Sequence, residues 1–281
     1  MLLAVDVGNT HTVLGLFDGE ELVRQWRLRT ERRATVDELV MATSTLLHQA
    51  GHAPRAVAGL VVGSVVPPLR QAWLETARGH FRVPAVPVGP GATGGLALAV
   101  ERPTEVGADR IANGVAVWRR HGLPALVVDC GTATTVDAIG ENGRYLGGAI
   151  APGIGVSYDA LVSSAALLQT VDLAMPARAL GVTTAQQMLS GLVFGCAGQV
   201  DGLVERIAAE MGGVPRVVAT GGWAGLLLPA SRTVTLHDPV LTLHGLRLIF
   251  ASGASGPQED RVPAARTLRR GPGPVQEEGT R

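Results

Sequence analysis

Apolar and polar positions fall into two similar successions along the chain. Residues 2–5 are apolar, Asp6 ends the run, a Gly/Asn/Thr cluster follows, and residues 13–17 are apolar again. That is the pattern of a hairpin with a tight turn. After the turn at Asp18-Gly19, residues 21–29 alternate as a third strand. Val36, Leu39, Val40, Ala42, Leu46 and Leu47 recur at helical spacing, and Gly51 supplies a stop. Residues 56–66 are nearly continuously apolar, as a buried parallel strand is. Pro67-Pro68 opens a helix to about residue 81, followed by a short strand over 84–88, a Gly-rich loop over 89–95 and a helix over 105–121.

The succession then repeats. Strands are expected over 125–128, 136–139 and 145–150, with a turn at Glu141-Asn142-Gly143. A helix from about Gly153 leads into an irregular, small-residue stretch reaching Leu180. A long helix over 184–211 carries Met188, Leu189, Leu192, Val193, Cys196, Val200, Leu203 and Ile207 on a broad apolar stripe. A strand over 216–219 and a helix over 240–251 complete it. Two halves, each a three-stranded meander followed by alternating helices and strands, give the layout of a duplicated ribonuclease H-like α/β fold. This is the two-domain architecture of the actin, sugar kinase and Hsp70 superfamily, with a central cleft for nucleotide. The expected domains are 1–120 and 121–253. From Ala254 onward Gly, Pro, Arg and Glu dominate without periodicity, so 254–281 reads as a disordered tail.

Composition narrows the chemistry. The 281 residues suffice for two domains, and 46% hydrophobic with 17% charged residues excludes global disorder. A formal net charge of zero argues against a nucleic-acid binder working through a basic surface. No apolar run approaches the ~20 residues of a membrane helix, and the N-terminus lacks the basic region of a signal peptide. Cys130 and Cys196 lie far apart without metal-ligand spacing, as free thiols of a reducing compartment do. The expectation is a cytoplasmic protein that does not touch membranes.

The candidate chemistry sits in the two hairpins. The first reads Asp6-Val7-Gly8-Asn9-Thr10-His11-Thr12-Val13, and residues 129–136 read DCGTATTV. Aligned without a gap, Asp6 pairs with Asp129, Gly8 with Gly131, Thr12 with Thr135 and Val13 with Val136. Backbone N–H groups beside glycine and threonine hydroxyls suit phosphate oxygens. A carboxylate repels phosphate and is better placed to hold a metal ion, so Asp6 is a candidate Mg²⁺ ligand. Two such hairpins facing across a cleft would grip a polyphosphate from both sides.

Taken together, DVGNTHTV at 6–13, GSVVPPL at 63–69, RPTEVGADRIAN at 102–113, DCGTATT at 129–135, GGAIAPG at 147–153, TGG at 220–222 and DPVLTLHGL at 238–246 resemble the type III pantothenate kinases, relatives of the Bvg accessory factors. The resemblance spans about residues 1–253. It implies transfer of the ATP γ-phosphoryl group to the primary hydroxyl of pantothenate, the first step of coenzyme A biosynthesis, by a homodimer. By the same resemblance, Asp6, Val7, Gly8, Asn9, Thr10, His11, Thr12, Val13 and Thr132 bind ATP, with Mg²⁺. Gly107, Ala108, Asp109, Arg110 and Thr184 bind pantothenate, and Asp109 is the general base. Asp129 holds a monovalent cation, potassium or ammonium.

The chain departs from the family pattern before GADR. Val100 stands where relatives carry tyrosine, and Arg102 where they carry asparagine. Two other readings therefore stay open: another kinase of the superfamily, and a regulatory protein that binds ligand without turnover. Each motif residue also has a plainer reading. Asp109 can cap its helix, Arg110 can lie on a helix surface, and His11 can be a solvated turn histidine. Thr220-Gly221-Gly222 reads as a tight turn that could lie against adenosine. Asp137, Asp201 and Asp238 read as solvated or capping carboxylates.

Overall fold

A computed structural model describes the chain apart from residues 165–167, 169, 214 and 255–281. The first half forms β1 (Leu2–Val7), β2 (His11–Asp18), β3 (Glu21–Arg29), α1 (Val36–Gln49), β4 (Gly59–Ser64), α2 (Pro67–Thr76) and β5 (Ala85–Pro87), then the two-residue β6 (Ala97–Leu98) and α3 (Ala108–Arg120). The second forms β7 (Ala125–Cys130), β8 (Ala133–Gly140), β9 (Arg144–Pro152), α4 (Ile154–Ser164), α5 (Thr184–Met211), β10 (Arg216–Thr220), the short α6 (Ala224–Leu227), β11 (Leu236–His237) and α7 (Leu241–Ala254). Local chemistry sets the ends. Thr35 and Glu38 close a reciprocal capping box on α1, Pro67 and Pro68 occupy the first turn of α2, and Gly212 ends α5 at φ +71°.

The two sheets repeat one topology. The first runs β3-β2-β1-β4-β5, and the second runs β11-β10-β7-β8-β9 with β6 added beside β9. In each, an antiparallel meander continues into parallel strands: β1 pairs with β4 as β7 pairs with β10. This is the duplicated ribonuclease H-like arrangement expected above. The pairs β6 and β11, and the single turn α6, escape periodicity because elements of two to four residues have none. Ala254 is the last residue of α7 rather than the start of a tail; residues 255–281 lie outside the described residues.

Burial divides the molecule into five layers. Leu3, Val5, Val7, Leu14 and Leu16 face α1 and α2, packing on Leu47, Leu69 and Trp73. Leu126, Val128 and Val136 face the opposite outer layer, against Leu192, Val193 and Val200 of α5. Between the sheets lie α3 and α7, whose Ile111, Val115, Leu243 and Leu246 join Ala4 and Val61 of one sheet to Val127 and Val218 of the other. Helix α7 thus returns from the chain's end to the face of the first sheet. Asp6 and Asp129 stand at the C-terminal ends of central strands, where ligands bind in open α/β sheets.

Candidate active site

The two hairpins meet. Thr10 Oγ1 lies 2.9 Å from Thr132 Oγ1 across the gap between the halves. The first turn is braced from below: Thr30 Oγ1 donates to the Gly8 carbonyl at 2.8 Å and bonds Thr12 Oγ1 at 3.0 Å. The Gly8 N–H donates to the His11 carbonyl at 3.0 Å. Val7 and Thr12 are buried, and Val13 packs into the central core. The exposed tip is therefore Asn9, Thr10 and His11, with Arg32 Nη2 donating to Asn9 Oδ1 at 3.0 Å. Thr132 is exposed at the tip of the second turn.

Strand register corrects the gapless pairing of the motifs. Asp6 lies opposite Val13, whereas Asp129 lies opposite Thr135. The second turn is one residue shorter, so Thr12 corresponds to Thr134 and Val13 to Thr135. Both Thr12 and Thr134 are buried. Thr135 takes the place of an apolar residue and faces the cleft.

Beneath the turns four carboxylates converge. Burial holds the Asp6 carboxyl well above its ordinary range, with Asp109 and Asp129 adding repulsion and Arg27 opposing them. Burial also raises Asp109, against the hydrogen bond its Oδ1 accepts from the Arg110 N–H at 2.8 Å. Asp109 sits in the first turn of α3, whose N-terminus favours its anion. Asp129 is pushed up to about 7, first by burial and then by Asp109, although Asn113 Nδ2 donates to its Oδ2 at 3.1 Å. Thr242 of α7 donates to Asn113 Oδ1 at 2.8 Å and fixes that amide. A Cβ on Gly221 would come within 2.5 Å of Asp129 Oδ1, whereas one on Gly131 would stand in ordinary contact at 3.5 Å. Gly221 therefore cradles a buried carboxyl whose charged neighbours, Asp109 and Asp137, are other carboxylates.

The fourth carboxylate corrects the reading of Asp137 as solvated or capping. It is fully buried and pairs with Arg110. Asp201 and Asp238 are buried too: Asp238 accepts from the Val240 N–H at the start of α7 and does cap, whereas Asp201, inside α5, accepts from the Arg232 and Thr233 N–H groups of the loop before β11 and caps no helix. Of the sequence candidates, Gly107 caps α3 and Ala108 is buried at its first turn. Thr184 lies exposed on the first turn of α5 and makes no described hydrogen bond to the carboxylates.

Sequence reasoning missed Arg27. It lies opposite Val13, on the cleft-facing side of β3, and its guanidinium approaches Gly222 in the other half. In sequence it looks like one more polar position of an alternating edge strand. The Trp26 neighbour gives no hint; only register with Val13 does. The thiol of Cys130 is buried and pushed up to about 12, so it is no nucleophile at neutral pH. Among the described residues, no three His, Cys, Asp or Glu side chains gather closely enough to hold a metal ion unaided, and no helix is long and apolar enough to cross a membrane.

Two ribonuclease H-like halves with facing hairpins over a carboxylate-lined cleft give the fold of the sugar kinase and actin superfamily. The fold recurs in a Baf family protein from Campylobacter jejuni (TM-score 0.59, 18% identity, 90% of this chain and 99% of that one). It recurs also in the ethanolamine utilization protein EutJ from Carboxydothermus hydrogenoformans (TM-score 0.55, 14% identity, 88% and 89%). The family model for type III pantothenate kinase matches residues 2–206. Type III pantothenate kinases of Moorella thermoacetica and Acidothermus cellulolyticus are 49% and 48% identical over 250 and 251 residues, covering 89% of this chain and 98% of each relative. The chain belongs to the type III pantothenate kinase family and is an enzyme of the kinase class.

Proposed function

We propose that this kinase transfers the γ-phosphoryl group of ATP to the primary hydroxyl of pantothenate, giving 4'-phosphopantothenate and ADP in the cytoplasm. The observation that carries the reading is the meeting of the two hairpin tips directly above Asp6, Asp109 and Asp129, in a chain of this family. Asn9, Thr10, His11 and Thr132 offer donors to the phosphates, while Val7, Gly8, Thr12 and Val13 hold the turn in shape. Asp109 accepts the hydroxyl proton as the hydroxyl oxygen attacks the γ-phosphorus, and the β–γ bridging oxygen leaves with ADP. Its raised pKa suits a base that must bind a proton transiently. Arg110, behind it on α3, takes the pantothenate carboxylate, with Gly107, Ala108 and Thr184 completing that end.

Asp6 and Asp129 are buried carboxylates without a salt-bridge partner among the described residues, and their chemistry fits cations: Asp6 for Mg²⁺ travelling with ATP, Asp129 in its glycine cradle for potassium or ammonium. Such cations neutralise phosphate charge when bound. Homodimerisation is supported by apolar side chains exposed along β9 and α4, namely Leu146, Ile150, Val156 and Leu161. A non-catalytic regulatory role is the second reading, favoured by Val100 in place of the family tyrosine. Pantothenate-dependent ADP release, with phosphorus NMR of the product, separates the two. A phosphomonoester on pantothenate supports the kinase; tight ligand binding with no product supports the regulator.

A further inference from the structure

Arg110 is held by a network that the reaction described above does not use. Its Nε and Nη2 both donate to Asp137 Oδ1, at 2.8 and 2.5 Å. Tyr145 Oη donates to the same oxygen at 2.7 Å, and Thr135 Oγ1 donates to Oδ2 at 3.2 Å. The Arg110 guanidinium also lies 5.7 Å from the centre of the Tyr145 ring. Asp137 and Tyr145 are buried within the second sheet, while the Arg110 side chain keeps 16% exposure. Among the described residues, Arg110 Nη1 makes no hydrogen bond.

The duplication shows that the fold itself does not require this carboxylate. With Thr134 matching Thr12, Asp137 matches Gly15, which lies against Leu243 and Leu22 in apolar surroundings. Burying a carboxylate costs several kcal/mol unless it is well paired, and a packed apolar residue often serves stability as well. The second half nevertheless carries Asp137 together with Tyr145 and Thr135, which donate to the carboxylate that binds one guanidinium edge.

We infer that Asp137 and Tyr145 are positioning residues that lock the Arg110 guanidinium with its Nη1 edge free for the carboxylate of the acceptor substrate. The inference rests on the pantothenate reading. A guanidinium fixed through Nε and Nη2 recognises a carboxylate by geometry, without freezing a loose side chain at each binding event. Selectivity for the acid over its uncharged amide then depends on residues that never touch the substrate.

The test compares kcat/KM for pantothenate and for the neutral primary amide of pantothenate, in the full-length enzyme and in Asp137→Asn and Tyr145→Phe. The parent should prefer the acid by about thirty-fold or more. Asp137→Asn should lose about ten-fold on the acid, mostly through KM, with the amide changed less than three-fold. Tyr145→Phe, which keeps the ring and removes one hydrogen bond, should shrink the preference about two- to five-fold, and it carries the test if Asp137→Asn does not fold. Equal losses on acid and amide, or an unchanged ratio in Tyr145→Phe, overturn the positioning role while the kinase reading stands. No turnover of pantothenate by the parent enzyme overturns both.

Discussion

Gly221→Ala perturbs the cradle around Asp129 most directly. Gly221 sits at φ +93°, where an L side chain costs about 1–2 kcal/mol. The added Cβ would lie 2.5 Å from Asp129 Oδ1, 2.6 Å from the Cys130 carbonyl carbon and 2.7 Å from the Cys130 nitrogen. Two of these atoms are backbone of the central strand β7 and cannot swing aside, and ordinary contact begins near 3.4 Å. The loop after β10 must retreat, and overpacking of this kind costs about 1–3 kcal/mol. The sum, roughly 2–5 kcal/mol, corresponds to a fall of roughly 4–20 °C in Tm at about 2–4 °C per kcal/mol for a chain of this size. Gly222→Ala is the control, because its Cβ would meet only the end of the flexible Arg27 side chain, at 2.9 Å from Nη1. Thermal melts of both variants, with potassium titrated against activity, form the assay. Gly221→Ala should melt low and need more potassium, while Gly222→Ala melts within about 3 °C of the parent. A Gly221→Ala protein with the parent's Tm and potassium requirement would refute the cradle.

The pH dependence has a definite sign. Asp129 has a folded pKa of about 7 against an ordinary 3.8, so the folded state holds the proton more tightly. Without a monovalent cation, the contribution of Asp129 to stability is fully present below about pH 4 and is lost as pH rises to about 7, by at most about 4 kcal/mol at 1.36 kcal/mol per pH unit. Potassium should restore Tm above pH 7, and Asp129→Asn should flatten both effects in melts across that range. Arg27→Ala should raise the KM for ATP about five- to thirty-fold, as loss of a charge-assisted contact of about 1–2 kcal/mol does, with pantothenate KM nearly unchanged. An unaltered ATP KM would show that Arg27, although it faces the cleft, does not serve ATP binding.

What the sequence discloses follows the range of the forces involved. Both meanders, the parallel strand β4 and the long helix α5 are written in local apolar spacing, and the structure contains them where that spacing puts them. The docking of α7 on the first sheet is a contact between chain ends, which no local pattern encodes. The one-residue difference between the hairpins is hidden because Thr134-Thr135 lets a gapless alignment match threonine with threonine. Asp137 breaks an apolar strand in the same way as a surface position, and only the register opposite Val127 turns it toward Arg110. Arg27 is hidden likewise in an alternating strand. In each case the missing information is which face of the strand meets the other half.

The central claim is that Asp109 takes the proton from the attacking hydroxyl. Its most direct test is steady-state turnover of Asp109→Asn at saturating ATP, Mg²⁺, potassium and pantothenate. Asparagine keeps the shape and cannot accept that proton, so kcat should fall about 10²- to 10⁴-fold while bound pantothenate is retained. A variant that turns over within about three-fold of the parent would leave the kinase intact and contradict Asp109 as its base.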